Sequence, residues 1–234
     1  IENSQIVNSS GLGVQVKDRS IANFNKCIFK NSKLSQLFIS DESIASIKEC
    51  TIKNGLQIGL FVENDSNCTI VQSTLSHHPN TAITVCDAEL IILESKITHN
   101  AGNGILAFQN ATIHADLCEF KDNKMPHIAG KEQTALTVLN SIFDGGKSIY
   151  LLEQSHGQIT TSSFTNADGI QIEITEETKL TLNNCRIFHG NSNAVKASMN
   201  STLNIYDSQI TDHRLPQIVI NDSSLIFKNS ELLN

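Results

Sequence analysis

Residues 48–70 read KECTIKNGLQIGLFVENDSNCTI, and this stretch contains every feature of a repeat that runs through the whole chain. Cys50 is followed two residues later by Ile52 and then by Asn54, and similar triplets recur at intervals of 21 to 23 residues. The small member of each triplet is Ser4, Cys27, Cys50, Ser73, Ser95, Cys118, Ser141, Ser162, Cys185, Ser208 or Ser230. Because residues i and i+2 of a strand share a face, each triplet predicts a short strand, strand A, whose small and large residues point inward.

The third member of each triplet is polar or glycine and predicts a turn. It is Asn8, Asn31, Asn54, His77, His99, Asp122, Gly145, Asn166, His189 or Asp212. Asn, Asp and Gly tolerate left-handed backbone geometry, which suits a turn. The three histidines could instead serve as ligands or bases, but their fixed place in the repeat favours the turn interpretation.

Two further strands complete each repeat. The inward pairs of strand B are predicted as Val14/Val16, Leu37/Ile39, Leu60/Val62, Ile83/Val85, Ile105/Ala107, Ile149/Leu151, Ile170/Ile172, Val195/Ala197 and Ile218/Ile220. Those of strand C include Ala45/Ile47, Cys68/Ile70, Leu90/Ile92, Leu136/Val138, Leu180/Leu182, Leu203/Ile205 and Leu225/Phe227. The apolar residues alternate, which excludes a helical repeat.

The repeat predicts an all-β solenoid of about ten coils of 22–23 residues, with three strands per coil, because such short strands bury their faces only by stacking. At roughly 4.8 Å per coil, the rod is on the order of 50 Å long. We expect residues 1–234 to form a single domain. Neither end carries a polar cap, so we expect the domain to belong to a longer chain or to assemble end to end.

Residues 48–70, quoted above, and residues 93–115, LESKITHNAGNGILAFQNATIHA, resemble the repeats of the parallel β-helix, or pectin-lyase-like, superfamily. The resemblance covers essentially the whole chain and implies a right-handed, single-stranded parallel β-helix. Proteins with such repeats include polysaccharide lyases, hydrolases and epimerases, but also phage tailspikes, adhesins and non-catalytic adaptor domains. The fold by itself does not choose among these functions.

No catalytic residue is predicted from the motifs that this superfamily uses. The coil lengths vary by only about two residues, so no long loop is available to wall a cleft. The Asp-Pro-His-Asp of alginate epimerases is missing, as are the Asn-Thr-Asp, Gly-His-Gly and Arg-Ile-Lys sets of polygalacturonases. We also find no equivalent of the aspartate cluster and basic residue of pectate lyases. Whether the protein is an enzyme stays open, and the sequence favours a protein without catalytic activity.

The outward charges of strand A are the remaining candidates for chemistry. These charges are Lys26, Glu49, Glu94, Lys96, Glu119, Arg186 and Asp207. Glu49 and Glu94 lie two coils apart, roughly 9–10 Å, which suits a pair of inverting carboxylates. We expect isolated surface charges instead, with Lys96 and Glu119 forming an ion pair on adjacent coils.

Composition and cysteine spacing limit the cofactors and partners. The six cysteines form neither a CxxC motif nor a Cys/His cluster, so no metal or other cofactor is predicted. We expect free thiols, which favour a reducing compartment and so a cytoplasmic location, with a secreted or cell-surface location as the alternative. The net charge of -7 without a Lys/Arg run predicts no nucleic-acid partner, and no apolar stretch approaches 18 residues, which predicts no membrane partner.

An apolar stripe on the outward face of strand B is the predicted binding site. Its members are Phe38, Phe61, Leu106, Phe108, Tyr150 and Leu152. Contiguous exposed apolar residues usually mark an interface. The preferred hypothesis is therefore a non-catalytic interaction or scaffold domain that binds a protein partner or a neighbouring domain through this face. The alternative is a module that binds or modifies a polysaccharide on the strand A sheet.

Overall fold

In the computed structural model, which describes residues 1–233, the chain winds into a parallel β-helix of 31 strands in three sheets. Sheet A contains 11 strands, and sheets B and C contain 10 each. Every strand pairs in parallel with the equivalent strands of the adjacent coils, as in the row Thr51, Thr74 and Lys96. The prediction of three stacked strands per coil is confirmed.

The three sheets take their strands in strict rotation along the chain. Sheet A consists of β1 (Gln5–Val7), β4 (Ile28–Lys30), β7 (Thr51–Lys53), β10 (Thr74–Ser76), β13 (Lys96–Thr98), β16 (Glu119–Lys121), β19 (Ile142–Asp144), β22 (Ser163–Thr165), β25 (Arg186–Gly190), β28 (Gln209–His213) and β31 (Glu231–Leu233). Sheet B consists of β2 (Val14–Val16), β5 (Leu37–Ile39), β8 (Leu60–Glu63), β11 (Ile83–Cys86), β14 (Ile105–Phe108), β17 (Ile128–Gly130), β20 (Ile149–Leu151), β23 (Ile172–Ile174), β26 (Val195–Ser198) and β29 (Ile218–Asn221). Sheet C consists of β3 (Ile21–Asn25), β6 (Ile44–Lys48), β9 (Asn67–Val71), β12 (Glu89–Leu93), β15 (Thr112–Asp116), β18 (Ala135–Leu139), β21 (His156–Thr160), β24 (Lys179–Asn183), β27 (Thr202–Tyr206) and β30 (Ser224–Lys228).

The core is a single column of stacked apolar side chains inside the three sheets. Phe120, Phe143 and Phe164 are fully buried, and their rings stack at centroid separations of 4.8 Å and 4.7 Å. Burying a side chain of this size contributes about 1.5–3 kcal/mol. Because identical positions lie one above another, the repeat places like residues in contact along the whole rod.

The polar position after strand A is a turn, as predicted. His77, His99 and His189 have φ angles of 58°, 57° and 56°, and Gly145 at the same coil position has a φ of 78°. The rings of His77 and His99 stack at 5.3 Å. His77 and His99 are turn residues, as interpreted, whereas His189 keeps the left-handed angle within β25.

The Ser/Cys position lies at the corner between strands C and A, one residue before strand A rather than within it. Its side chain points inward, as predicted, and it also carries hydrogen bonds along the rod. The amide of Cys50 donates to Oγ of Ser73 at 2.9 Å, and that hydroxyl donates to the carbonyl of Val71 at 2.8 Å. All six cysteines are free.

A second ladder of hydroxyl groups, which the sequence does not reveal, runs along the corner between strands B and C. The amide of Ser20 donates to Oγ of Ser43, and the amide of Ser43 donates to Oγ of Ser66, each at 3.1 Å. Ala88 and Ala111 interrupt the same position, which hides the periodicity from a search for one residue type.

One predicted strand B pair is wrong by two residues. The inward pair of β23 is Ile172/Ile174, not Ile170/Ile172, so Glu173 rather than Gln171 points outward. Gln171 is fully buried at the preceding turn, where its Oε1 lies 2.6 Å from Nε2 of His213. That hydrogen bond lets a polar side chain occupy an interior position.

Glu49 and Glu94, the two carboxylates whose spacing suits a catalytic pair, lie outside strand A. Glu49 and Glu94 occupy the left-handed corner before the Ser/Cys position, with φ angles of 52° and 49°. Glu49 lies 3.8 Å from Lys26 and 3.8 Å from Lys48, and Glu94 accepts a hydrogen bond from Gln72. Each carboxylate therefore has its own partner in a surface corner.

The predicted ion pair between Lys96 and Glu119 forms, with a separation of 2.7 Å. The two side chains project from paired positions of β13 and β16. Such an exposed pair contributes about 0–1 kcal/mol, so it is a surface detail of sheet A rather than a site.

One coil is shorter than its neighbours. Four residues, 145–148, connect β19 to β20, whereas six residues, 122–127, connect β16 to β17. The turns on either side project beyond the short turn and leave a depression between them, which we call the notch. It is lined by residues 121–124, 144–147, 166, 168 and 169.

Candidate binding face on sheet B

The outward residues of sheet B, which we call the sheet B face, include all six residues of the predicted site. Phe38, Phe61, Leu106 and Tyr150 form one row, Phe108 lies two residues further along β14, and Leu152 directly follows the end of β20. All six side chains are half-buried. The stripe is not continuous, since the small residues Thr84 and Ala129 interrupt the row.

The amino-terminal part of the sheet B face is aromatic. The rings of Phe38 and Phe61 meet edge to face, with centroids 5.5 Å apart and planes at 89°. Such a pair contributes about 0.5–1.5 kcal/mol beyond its buried area. The free thiol of Cys86, two coils from Phe38, donates to Oε1 of Gln109 at 2.8 Å. This part of the face offers apolar ring surface and little charge.

The carboxyl-terminal part of the face carries an ionic cluster around Tyr150. Nζ of Lys147 lies 4.0 Å from the centre of the Tyr150 ring and forms an ion pair with Glu173. Lys196, from the next coil, contacts the other oxygen of Glu173 at 3.0 Å. The Glu173 side chain is 15% exposed, so its charge is held by two lysines at the edge of the solvent.

Glu173 and Tyr150 have opposite pKa shifts, so the first is ionised and the second is neutral. Burial alone would raise the pKa of Glu173, but hydrogen bonds from Lys147 and Lys196 outweigh it and lower the pKa below its usual value. Burial, reinforced by the charge of Glu173, raises the pKa of Tyr150. At neutral pH the cluster therefore holds an ionised carboxylate, fixed by two lysines, beside a neutral phenol whose hydroxyl is available for hydrogen bonds.

The sequence reasoning missed Lys147 and Glu173 as functional candidates. A usable signal was present, because the first inward residue of strand B follows the large residue of strand A by eight positions, as in Phe29 to Leu37. The same offset from Phe164 gives Ile172 and so places Glu173 outward. In the short coil this offset falls to six, from Phe143 to Ile149, and this exception obscures the regular spacing.

Within residues 1–233, no group of three or more His, Cys, Asp or Glu side chains is arranged to hold a metal ion. That part of the chain also contains no helix that is long and apolar enough to cross a membrane.

The chain belongs to the family described as the right handed beta helix region. The family model matches residues 1–141 and 126–234, which together cover the whole sequence. The β-helix is therefore right-handed, and the resemblance drawn from residues 48–70 and 93–115 is confirmed. No curated protein matches the sequence.

Solved structures with the same fold include two modules from Azotobacter vinelandii. The A-module of mannuronan C-5 epimerase AlgE4 is 11% identical, has a TM-score of 0.63, and is matched over 98% of this chain and 84% of that one. For the AlgE6 A-module the values are 10%, 0.62, 96% and 75%. The Agl-KA catalytic domain is 12% identical, with a TM-score of 0.54 over 96% of this chain and 53% of that one. At such identities the likeness shows the fold alone.

Proposed function

We propose that this protein binds a polysaccharide along the sheet B face, where Tyr150 and Glu173 contact the bound chain. The observation that carries the proposal is a flat face with half-exposed aromatic rings that leads to a compact ionic cluster. The C–H face of a sugar ring packs on aromatic rings, and its hydroxyls hydrogen-bond to carboxylates and ammonium groups. Both kinds of contact are available within one sheet.

Sheet A, the location predicted for a polysaccharide, is less suited to this role. Its charges at Lys96, Glu119, Lys121 and Asp144 already form ion pairs with one another. Phe188 is the one aromatic side chain on its outward face within residues 1–233. A ligand on sheet A would gain few apolar contacts.

The structural neighbours support a polysaccharide rather than a protein as the ligand. Two of them are epimerases of mannuronan by name. The protein-interface hypothesis for the same six residues stays a prediction.

Binding to a panel of neutral and acidic polysaccharides, measured by affinity electrophoresis and isothermal titration calorimetry, tests the proposal. Phe61→Ala and Tyr150→Ala should each weaken binding about tenfold, since each removes a stacking surface. Phe188→Ala is the matched control, as it removes a half-buried aromatic ring from sheet A, and it should change the affinity less than twofold.

Glu173→Gln keeps the shape of the side chain but removes the charge that accepts hydrogen bonds from sugar hydroxyls, and it should weaken binding in the same assays. Equal affinity in the wild type and in Tyr150→Ala and Phe61→Ala would overturn the proposal. So would binding of a protein partner that excludes every polysaccharide from the face.

A further inference from the structure

Within residues 1–233, the notch is the only place where the interval from the large buried residue of strand A to the first buried residue of strand B falls from eight positions to six, between Phe143 and Ile149. It encloses about 660 Å³, which falls within the size range of small-ligand sites. Its walls are the six-residue turns 122–127 and 166–171 on the two sides, and its floor is the four-residue turn 145–148.

The floor of the notch is held in place by a buried histidine. Nε2 of His127 donates to the carbonyl of Gly145 at 2.7 Å, and Nδ1 lies 2.8 Å from Nδ2 of Asn123. These two partners assign the neutral tautomer with the proton on Nε2. Gly145 and Gly146 have φ angles of 78° and 59°, so the floor is bare backbone in a conformation that suits glycine. The concavity is therefore preformed.

Of the charged side chains that line the notch, Lys121, Asp144 and Lys147 form ion pairs. One oxygen of Asp144 accepts from Lys121 at 2.7 Å, and the other accepts from Asn166 at 2.8 Å. The hydrogen bond from Lys121 holds the pKa of Asp144 below its usual value. A second ion pair joins Lys147 to Glu173.

The balance of charge in the notch defines the kind of ligand that fits. The lining residues include three lysines and three aspartates, so their formal charges cancel. A charged ligand that binds at Asp144 or Lys147 would have to displace an existing ion pair, which costs the desolvation of both groups. A neutral ligand with several hydroxyls can instead donate to Asp144 and accept from Lys121 and Asn166 without breaking either pair.

We infer that the notch is a subsite for one neutral sugar residue of the polysaccharide that lies on the sheet B face. This inference rests on the proposed function, and Lys147 provides the connection. The same side chain lines the notch, covers the ring of Tyr150 and contacts Glu173. A sugar in the notch is thus adjacent to the ionic cluster, and the notch selects which residue of the chain reaches that cluster.

Titration of the ¹⁵N-labelled protein tests the subsite, because the amides of Gly145 and Gly146 report on its floor. The probes are oligosaccharides of glucan, mannan and galactan, with oligogalacturonate as the acidic comparison. At least one neutral oligosaccharide should shift both glycine amides. Oligogalacturonate should leave these amides unshifted.

Two variants separate the notch from the rest of the face. Insertion of Ser-Asn after Gly146 restores a six-residue turn and should fill the notch, lower the affinity for the neutral oligosaccharide about tenfold and leave the Tyr150 resonances responsive. The matched control inserts Ser-Asn between Asn191 and Ser192, in a regular turn of the same kind, and should change the affinity less than twofold. A test without an insertion compares Asn166→Ala with Asn31→Ala at the same coil position. Asn166→Ala should lower the affinity for the neutral oligosaccharide, whereas Asn31→Ala should not.

The outcomes distinguish the subsite from the proposed function. If oligosaccharides bind in a way that needs Tyr150 but not Asn166, and the insertion has no effect, the subsite is overturned and the proposed function stands. If oligogalacturonate alone shifts Gly145 and Gly146, the neutral ligand is wrong. If no oligosaccharide shifts any residue of the sheet B face, both are overturned.

Discussion

The turn at residues 99–104 and the turn at residues 145–148 occupy the same place in the coil, but a side chain fills the interior of the first and none fills the second. In the first, Asn100 fills the interior: its Oδ1 accepts from the amide of His78 at 3.0 Å, and its Nδ2 donates to Asn123 at 2.8 Å. In the second, Gly146 stands at the equivalent position without a side chain. The comparison shows that a filled turn adds a rung to the polar ladder, whereas a turn that is two residues shorter leaves a concave surface on an otherwise regular rod.

The largest expected effect comes from removing the histidine that supports the short turn. His127→Ala should lower the free energy of unfolding by about 3 kcal/mol, because it opens a cavity, leaves the Gly145 carbonyl without its partner and removes one of the two acceptors of Nδ2 of Asn123. His78→Ala, in the regular part, should cost about 2 kcal/mol, since Nε2 of His78 has no hydrogen-bond partner to lose. Denaturant unfolding followed by circular dichroism measures both, and equal losses would contradict the difference between the two turns.

The next largest effect is the pH dependence that the same two histidines impose. Burial lowers the pKa of His78 and of His127 from 6.5 to about 4. Between about pH 6.5 and pH 4, these two histidines are therefore protonated in the unfolded chain but neutral in the folded chain. Stability should be complete above pH 6.5 and fall on acidification, by about 2 kcal/mol per histidine between pH 6.5 and 5.

Melting temperatures measured between pH 7 and pH 5 check this expectation. The double variant His78→Asn with His127→Asn should lose most of the pH dependence in that range. Burial lowers the pKa of His213 as well, so a smaller slope of the same sign should remain. A wild-type melting temperature that does not change between pH 7 and pH 5 would rule out neutral buried histidines.

The smallest effect concerns the floor of the notch itself. Gly146→Ala should cost about 1–2 kcal/mol, because a Cβ there would lie 2.8 Å from the Asn123 carbonyl oxygen and the φ of 59° disfavours a side chain. Gly169→Ala, on the wall, is the control: a Cβ there meets nothing within 4 Å, so the change should stay within about 0.5 kcal/mol. Calorimetric melting of the two variants gives the comparison, and a harmless Gly146→Ala would mean that the floor is not a constrained turn.

The repeat made most of the fold predictable from the sequence. The triplet at Cys50, Ile52 and Asn54 predicted strand A, its buried neighbours and its left-handed turn, because each role needs a particular size or backbone preference at a fixed spacing. Alternating apolar pairs predicted strands B and C for the same reason. The inward pair of β23 was assigned two residues too early because Ile170, Ile172 and Ile174 alternate over five positions. The apolar pattern alone therefore allows two registers.

The candidate site was less predictable, because it depends on departures from the repeat. The stripe from Phe38 to Tyr150 followed from periodicity. The notch depends on a 21-residue interval between Ser141 and Ser162, which is visible in the sequence but resembles ordinary variation in coil length. Only the stacking of neighbouring turns shows that two missing residues leave a walled space. The pairing of Lys147 with Glu173 joins residues of consecutive coils, and the register error concealed it.

The hydrogen bonds of the Ser/Cys ladder join each coil only to its immediate neighbours. The coils are therefore mechanically connected in series. Pulled from its two ends, such a rod bears the same force at every junction and should open one coil at a time. A regular coil of 23 residues would then release about 80 Å of extended chain, and the short coil of 21 residues about 73 Å. The short coil would thus leave its own mark in the force–extension record of a single molecule.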